Sequence, residues 1–223
     1  IKTPLTSIIN YVNLIKLEQI DNERVNGYIR ILDAKSQRLK QLTEDLVETS
    51  RITSGNVKLD MQKIDLVELI YQTAGEFNEK FEAKELTIVT KLPKTEVMIR
   101  ADGRQLYRVI ENLYNNVAKY ALEKTRVYVD VHVLEEKVTF SIKNVSERSL
   151  ALENSNAGDL TERFIRGDAS RTTEGSGLGL SIAKSLTQLM GGIFFIGVDG
   201  DLFKASITFP LYRETQQEND IDE

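Results

Sequence analysis

The sequence predicts an α+β chain in two parts, a helical hairpin over residues 1–54 and a mixed α/β domain over residues 55–212. Three observations carry this. Apolar residues in the first part recur at steps of four and three, the spacing of a helix seam. The second part mixes helical stretches with period-two runs at residues 126–134 and 137–144, which read as strands. Between the parts stands Ser54-Gly55-Asn56, a helix stop and a boundary.

Composition narrows the field. The chain has 223 residues, 29 Lys+Arg against 34 Asp+Glu, a net charge of −5, no cysteine and one histidine. Disulfides, cysteine metal sites and Cys–His nucleophile pairs are excluded. A multi-histidine metal site within one chain is excluded too. The mild acidity argues against a broad nucleic-acid surface. No apolar run reaches bilayer-spanning length, so no membrane contact is expected of these residues. The chain opens at Ile1 rather than Met and reads as a fragment, with no visible signal peptide.

The elements follow in order. Ile1, Leu5, Ile8, Val12 and Ile15 form a heptad seam, with Pro4 tolerated near a first turn. A polar break around residues 19–22 offers Asp21 or Asn22 as N-cap. A second helix, residues 23–52, continues the seam through Val25, Tyr28, Leu32, Lys35, Leu39, Leu42, Leu46 and Thr49. Two narrow stripes do not close a core alone. A homodimer contributing four helices through residues 1–54 does, and is favoured over a hairpin packed on its own second domain. Residues 57–59 read as a short strand, and Asp65 caps a helix to about Lys84. Residues 86–92 and 97–100 read as strands with Pro93 in the turn between them. Asp102 caps a strong helix over residues 104–121. The strands at residues 126–134 and 137–144 pair as a hairpin through Glu135-Glu136. Residues 145–174 are polar and loop-like, a length that suits a functional loop. Residues 181–190 form a helix stopped by Gly191-Gly192, and residues 193–198 and 202–209 a last hairpin. Residues 213–223 are an acidic tail, expected to be disordered.

Three segments bear chemistry. Glu174-Gly175-Ser176-Gly177-Leu178-Gly179-Leu180 opens into a helix. Alternate glycines let backbone approach a ligand, and a helix N-terminus favours phosphate. Read alone, it is equally a flexible loop with a packing glycine. Glu111-Asn112-Leu113-Tyr114-Asn115-Asn116-Val117-Ala118-Lys119-Tyr120 sets Asn112, Asn116, Lys119 and Tyr120 on one helix face. Amide oxygens suit Mg²⁺, Lys119 suits phosphate and Tyr120 a base. The alternative is a polar solvent face. Arg163, Phe164, Arg166 and Arg171 follow in the long loop, as phosphate contacts and a lid anchor or as a surface charge cluster.

Together and in this order, these motifs resemble the kinase core of a two-component sensor histidine kinase. Residues 1–54 resemble its dimerisation and histidine-phosphotransfer domain. Residues 56–212 resemble its catalytic ATP-binding domain, an α/β sandwich of the GHKL ATPase type. Ile1-Lys2-Thr3-Pro4-Leu5-Thr6-Ser7 looks like the H-box after its histidine, residues 112–120 the N-box, 162–168 the F-box and 175–180 the G2-box.

The resemblance implies ATP and Mg²⁺ as ligands. Asn116 would hold the metal, assisted by Asn112 and Lys119. Tyr120 and Asn144 would hold adenine, Phe164 would anchor the lid, and Gly175, Ser176, Gly177, Leu178, Gly179 and Leu180 would surround phosphate. Arg166 or Arg171 would reach the γ-phosphate. Thr3 would serve a reverse, regulator-dephosphorylating reaction. The implied partner is a response-regulator receiver domain, and the implied setting the cytoplasmic portion of a membrane-bound bacterial sensor.

Two departures stand out. The family's acceptor histidine would precede Ile1, and the one histidine present, His132, reads as an ordinary strand residue facing away from Val127, Val129, Val131 and Val133. In the G1-box, Asn144 takes the place of the adenine-binding Asp, and the glycines are absent from Val145-Ser146-Glu147-Arg148. The degenerate G1 segment supports one alternative, a dimeric pseudokinase scaffold, with or without nucleotide; a second, another GHKL ATPase, is opposed by the heptad hairpin and by Lys2-Thr3-Pro4 near its start.

Overall fold

The computed structural model describes residues 2–17, 22–53, 57–147 and 178–213. The described residues fall into two compact units. One contains the chain through Val57 and the start of the last helix to Ile182; the other opens at Lys58 and resumes at Ala183.

The first unit is built on α1 (Lys2–Leu17) and α2 (Glu23–Thr53). Asn22 begins α2: its Oδ1 accepts from the N–H groups of Arg24 and Val25 at 3.1 and 3.2 Å, satisfying donors the helix leaves open. Across the hairpin, Lys16 Nζ meets Asp33 Oδ2 at 2.6 Å. That ammonium holds the Asp33 carboxyl below its usual range.

The expected seam divides in two. Leu5 and Val12 are buried, while Ile8 and Ile15 are exposed. On α2 the buried positions are Ile29, Ser36 and Thr43, one heptad apart, together with Asp45. The seam residues Tyr28, Leu32, Leu39 and Leu46 are 50–61% exposed. The hairpin therefore turns a small, partly polar edge inward and leaves its larger apolar stripe outside.

The second unit holds two sheets. β1 (Gln62–Asp65) pairs antiparallel with β3 (Met98–Ala101). The other sheet runs β2 (Thr87–Lys91), β4 (Arg126–Leu134), β5 (Lys137–Val145), β7 (Leu202–Pro210), β6 (Ile193–Asp199) in spatial order. Only β2–β4 is parallel.

Three helices accompany these strands: α3 (Leu66–Glu76), α4 (Asn78–Glu82) and α5 (Gly103–Tyr120). A further helix, α6 (Gly179–Leu189), precedes β6. Alternation along the central strands sends Val127, Val129 and Val131, then Val138, Phe140 and Ile142, into the core. Fully burying one such side chain is worth ~1.5–3 kcal/mol. His132 lies on the opposite face and is exposed.

Four expectations need correction. Residues 57–59 form no strand. Their potential partner strand ends at Ala101, because the next residue, Asp102, already turns the chain into α5. The helix expected from Asp65 to Lys84 breaks at Phe77, whose N–H bonds back to Ala74 O. The break sends its ring onto Tyr114 and Phe81, with centroids 5.4 and 5.8 Å apart. The strands either side of Pro93 are not partners. β2 joins β4 and β3 joins β1, so this stretch carries the chain between sheets. The helix expected from Ser181 already includes Gly179 and Leu180.

At the far end of α6, Gly191 adopts φ +81°, the left-handed stop expected there. A Cβ on Gly192 would lie 2.6 Å from the Phe209 ring, so only glycine fits. The acidic tail beyond Arg213 lies outside the described residues.

Candidate functional site

Asp102 sets the position of α5. Its Oδ1 accepts from the N–H groups of Arg104 and Gln105 at 3.0 and 3.1 Å, and its Oδ2 from Asp60 N–H at 3.0 Å. One buried carboxylate thus caps α5 and ties down the stretch before β1. From there the helix is set by its apolar face: Leu106, Val109, Ile110, Leu113, Tyr114 and Val117 are buried. Asn112, Asn116 and Tyr120 are half-buried and Lys119 exposed, on the flank beside that face. Among the described residues, the amides of Asn112 and Asn116 have no hydrogen-bond partner.

The end of α5 is fastened to the end of β5. Leu122 N–H donates to Val145 O at 2.9 Å, and Glu147 N–H to Tyr120 O at 2.8 Å, around an Ala121–Ser146 bridge. Ser146 N–H donates in turn to Asp201 O at 2.7 Å. Lys84 Nζ reaches the carbonyls of Lys119 and Ala121 at 3.0 and 3.3 Å, a cation on the negative end of the helix. This clamp brings Tyr120 and Asn144 to one corner. Nothing in the sequence pointed to Lys84 or to the Val145 carbonyl.

Asn144 is 1% exposed. Its Nδ2 donates to Val145 O at 3.0 Å, and its Oδ1 is buried with no partner among the described residues. The Tyr114 hydroxyl is orphaned in the same way, and burial pushes it well above the usual phenol range. Tyr107 is different. It donates to Glu76 Oε2 at 2.6 Å, and that bond, with desolvation and nearby acidic charge, raises it to about 12.

Leu178, Gly179 and Leu180 stand at the entry to α6, where Leu178 O accepts from Ile182 N–H at 2.9 Å and Ser181 Oγ at 2.7 Å. Thr3 falls in the first turn of α1. Arg163, Phe164, Arg166, Arg171, Gly175, Ser176 and Gly177 lie outside the described residues. Among the described residues no group of three His, Asp or Glu side chains forms a metal cluster, and no helix is long and apolar enough to cross a membrane. An unpaired amide such as Asn116 nonetheless fits Mg²⁺, which takes few protein ligands beside phosphate and water.

A helical hairpin followed by a mixed sheet, with an asparagine-bearing helix clamped to the sheet, defines a GHKL-type nucleotide-site architecture. Comparison with known proteins gives the family. Residues 101–214 match the histidine kinase-, DNA gyrase B- and HSP90-like ATPase family, and residues 1–55 the His Kinase A phospho-acceptor domain. The chain is 33% identical over 195 residues to the sensor protein VanSC of Enterococcus gallinarum, covering 86% of this chain and 53% of that protein. It is 26% identical to the sensor histidine kinase WalK of Bacillus subtilis, over 100% of this chain and 36% of WalK. The chain thus spans about half or less of these relatives. Similar folds include full-length ShkA in complex with AMPPNP, at TM-score 0.77 and 22% identity, covering 94% of this chain and 43% of ShkA. Acinetobacter baumannii AdeS aligns at TM-score 0.66 and 16% identity, covering 95% of this chain and 97% of that one. The chain belongs to the sensor histidine kinases, a family of phosphotransferases.

Proposed function

We propose that this chain is the core of a kinase that binds ATP with Mg²⁺ and passes the γ-phosphoryl group to a histidine upstream of Ile1. From there the phosphoryl goes to an aspartate of a response-regulator receiver domain. The observation that carries the nucleotide reading is Asn144 Oδ1, a buried acceptor with no partner among the described residues. It stands at the corner where α5 and β5 are fastened, at the family's adenine position. A lone buried acceptor costs ~1–3 kcal/mol, and the amino group of adenine is a donor of the right kind.

Phosphoryl transfer depends on positioning and charge neutralisation. Asn116, with Asn112 and Lys119 beside it, would hold Mg²⁺; bound there, the metal supplies positive charge to phosphate oxygens. Tyr120 would lie against the base. The α6 entry at Leu178, Gly179 and Leu180, with the glycines before it, takes phosphate at a helix N-terminus. Arg166 or Arg171 would meet the γ-phosphate. The similar protein ShkA was solved with AMPPNP, which supports a nucleotide ligand. Thr3 takes part in dephosphorylating the regulator.

The exposed stripe of α2, Tyr28, Leu32, Leu39 and Leu46, supports a homodimer through residues 1–54. The setting is the cytoplasmic portion of a membrane-bound sensor. The domains divide at residues 54/55.

Calorimetric titration of Mg²⁺-ATP into wild type and Asn116→Ala tests the reading. The variant should lose Mg²⁺-dependent affinity with its circular dichroism unchanged; equal affinities reject the metal role. A second reading, a nucleotide-free scaffold, rests on the glycine-free stretch after Asn144, where Ser146 is pinned to Asp201 O. A wild type that takes no nucleotide supports it.

A further inference from the structure

Resting on the nucleotide reading, we infer that Lys84 is a positioning residue for the base end of the site, holding Tyr120 in place by gripping the carbonyls on either side of it. Lys84 is half-buried between α4 and β2. Its ammonium donates to Lys119 O at 3.0 Å and to Ala121 O at 3.3 Å. Tyr120 is the residue between them.

The end of α5 needs such a grip. The last carbonyls of a helix have no partner within it. Ala121 has already left the helix, at ψ 137°. Partners come from two sides, in alternation along the chain. Tyr120 O and Leu122 N–H are taken by the end of β5, through Glu147 N–H at 2.8 Å and Val145 O at 2.9 Å. On the other side Lys84 takes Lys119 O and Ala121 O. A cation is the favoured donor there, at the negative end of the helix, and one ammonium carries donors enough for both carbonyls.

Lys84 acts as a fixed post because its main chain is anchored independently of its side chain. Lys84 N–H donates to Phe81 O at 3.2 Å, and Lys84 O accepts from Lys124 N–H at 3.0 Å. The Phe81 ring is buried against Phe77 and Tyr114. Thr87 N–H donates to Thr125 O at 2.9 Å where β2 starts. Without the ammonium those anchors remain. The turn at residues 119–122 is then held from the β5 side alone and pivots about it, with two carbonyls released to water. Tyr120 moves with the turn, and ordering it again when a base binds costs affinity.

The test titrates Mg²⁺-ATP calorimetrically into the full chain as wild type, Lys84→Met and Lys84→Arg. Amide hydrogen exchange is followed by NMR on the same proteins. Methionine keeps much of the stem and no donor. Lys84→Met should bind about fivefold more weakly than wild type, and Lys84→Arg within about twofold of it. In Lys84→Met, exchange at Glu147, whose N–H meets Tyr120 O, should quicken at least about tenfold, while exchange at Thr87 stays within about twofold of wild type. Equal quickening at both would show general loosening and overturn the inference. So would an unchanged ATP affinity in Lys84→Met, or an arginine that restores nothing. If Lys84→Met does not fold, Lys84→Gln, with donors but no charge, decides on the same measures. Failure of wild type to bind overturns the nucleotide reading and this inference with it. Equal binding by wild type and Lys84→Met overturns the inference and leaves the nucleotide reading standing.

Discussion

Replacing Tyr114 by phenylalanine removes a hydroxyl that is buried and has no hydrogen-bond partner among the described residues. In the unfolded chain that hydroxyl is hydrated, so folding strips its water and returns nothing. Leaving such a group unmade costs ~1–3 kcal/mol. The ring itself is well used: it stacks on Phe77 at 5.4 Å and lies 6.0 Å from Phe81. Phenylalanine keeps those contacts. The volume lost is one oxygen, and the space it leaves offsets the gain by less than ~1 kcal/mol. The net expectation is a stabilisation of ~1 kcal/mol, or a Tm higher by ~2–4 °C for a unit of this size. Urea unfolding followed by circular dichroism should show a higher midpoint with an unchanged slope. A loss of more than ~0.5 kcal/mol would refute the reasoning, because it would mean that the hydroxyl makes a bond worth keeping, to an internal water.

Two further outcomes follow from the same geometry. Asp102→Ala removes three N–H···O bonds, two at the start of α5 and one to Asp60, and should cost ~2 kcal/mol in urea unfolding. Asp102→Asn, which keeps an acceptor, should cost less, and an alanine loss under ~0.5 kcal/mol would show that α5 is held by its packing alone. Leu39 is 50% exposed in the single chain, so Leu39→Glu should fold as a hairpin yet run as a monomer by light scattering, because a dimer would bury its charge. A wild type that is already monomeric at micromolar concentration rejects the paired-seam reading.

Much of the local structure around the candidate site was legible before the fold. Asp65 and Asp102 cap helices as read, and Asn22 takes the cap left open between it and Asp21, because a cap is made within three residues and depends on local spacing. The α5 stripe and the β4–β5 hairpin were legible for the same reason, since periods of 3.6 and two are written along the chain. Asn144 was legible only through its place in a family pattern. What its amide does depended on Val145 O and Leu122 N–H, and the second of these comes from the turn after a different element.

Other features belonged to the tertiary structure from the start. The break at Phe77 looks locally like the continuation of a helix; it is decided by a ring finding Tyr114 and Phe81. The strands flanking Pro93 look like a hairpin in sequence, yet β2 lies parallel to β4, across an excursion through β3 and α5. On the helical hairpin, the sequence determined which residues are apolar, but only the packing decided that Ile29, Ser36 and Thr43 turn inward and Leu32, Leu39 and Leu46 stay outside. Lys84 gave no local signal at all, because its role is to meet carbonyls at the end of a helix 35 and 37 residues further on. The reason is common to all four. Caps and periodicity are set by neighbours along the chain, whereas strand partners, inward faces and distant carbonyls are chosen by the free energy of burying whole elements against one another.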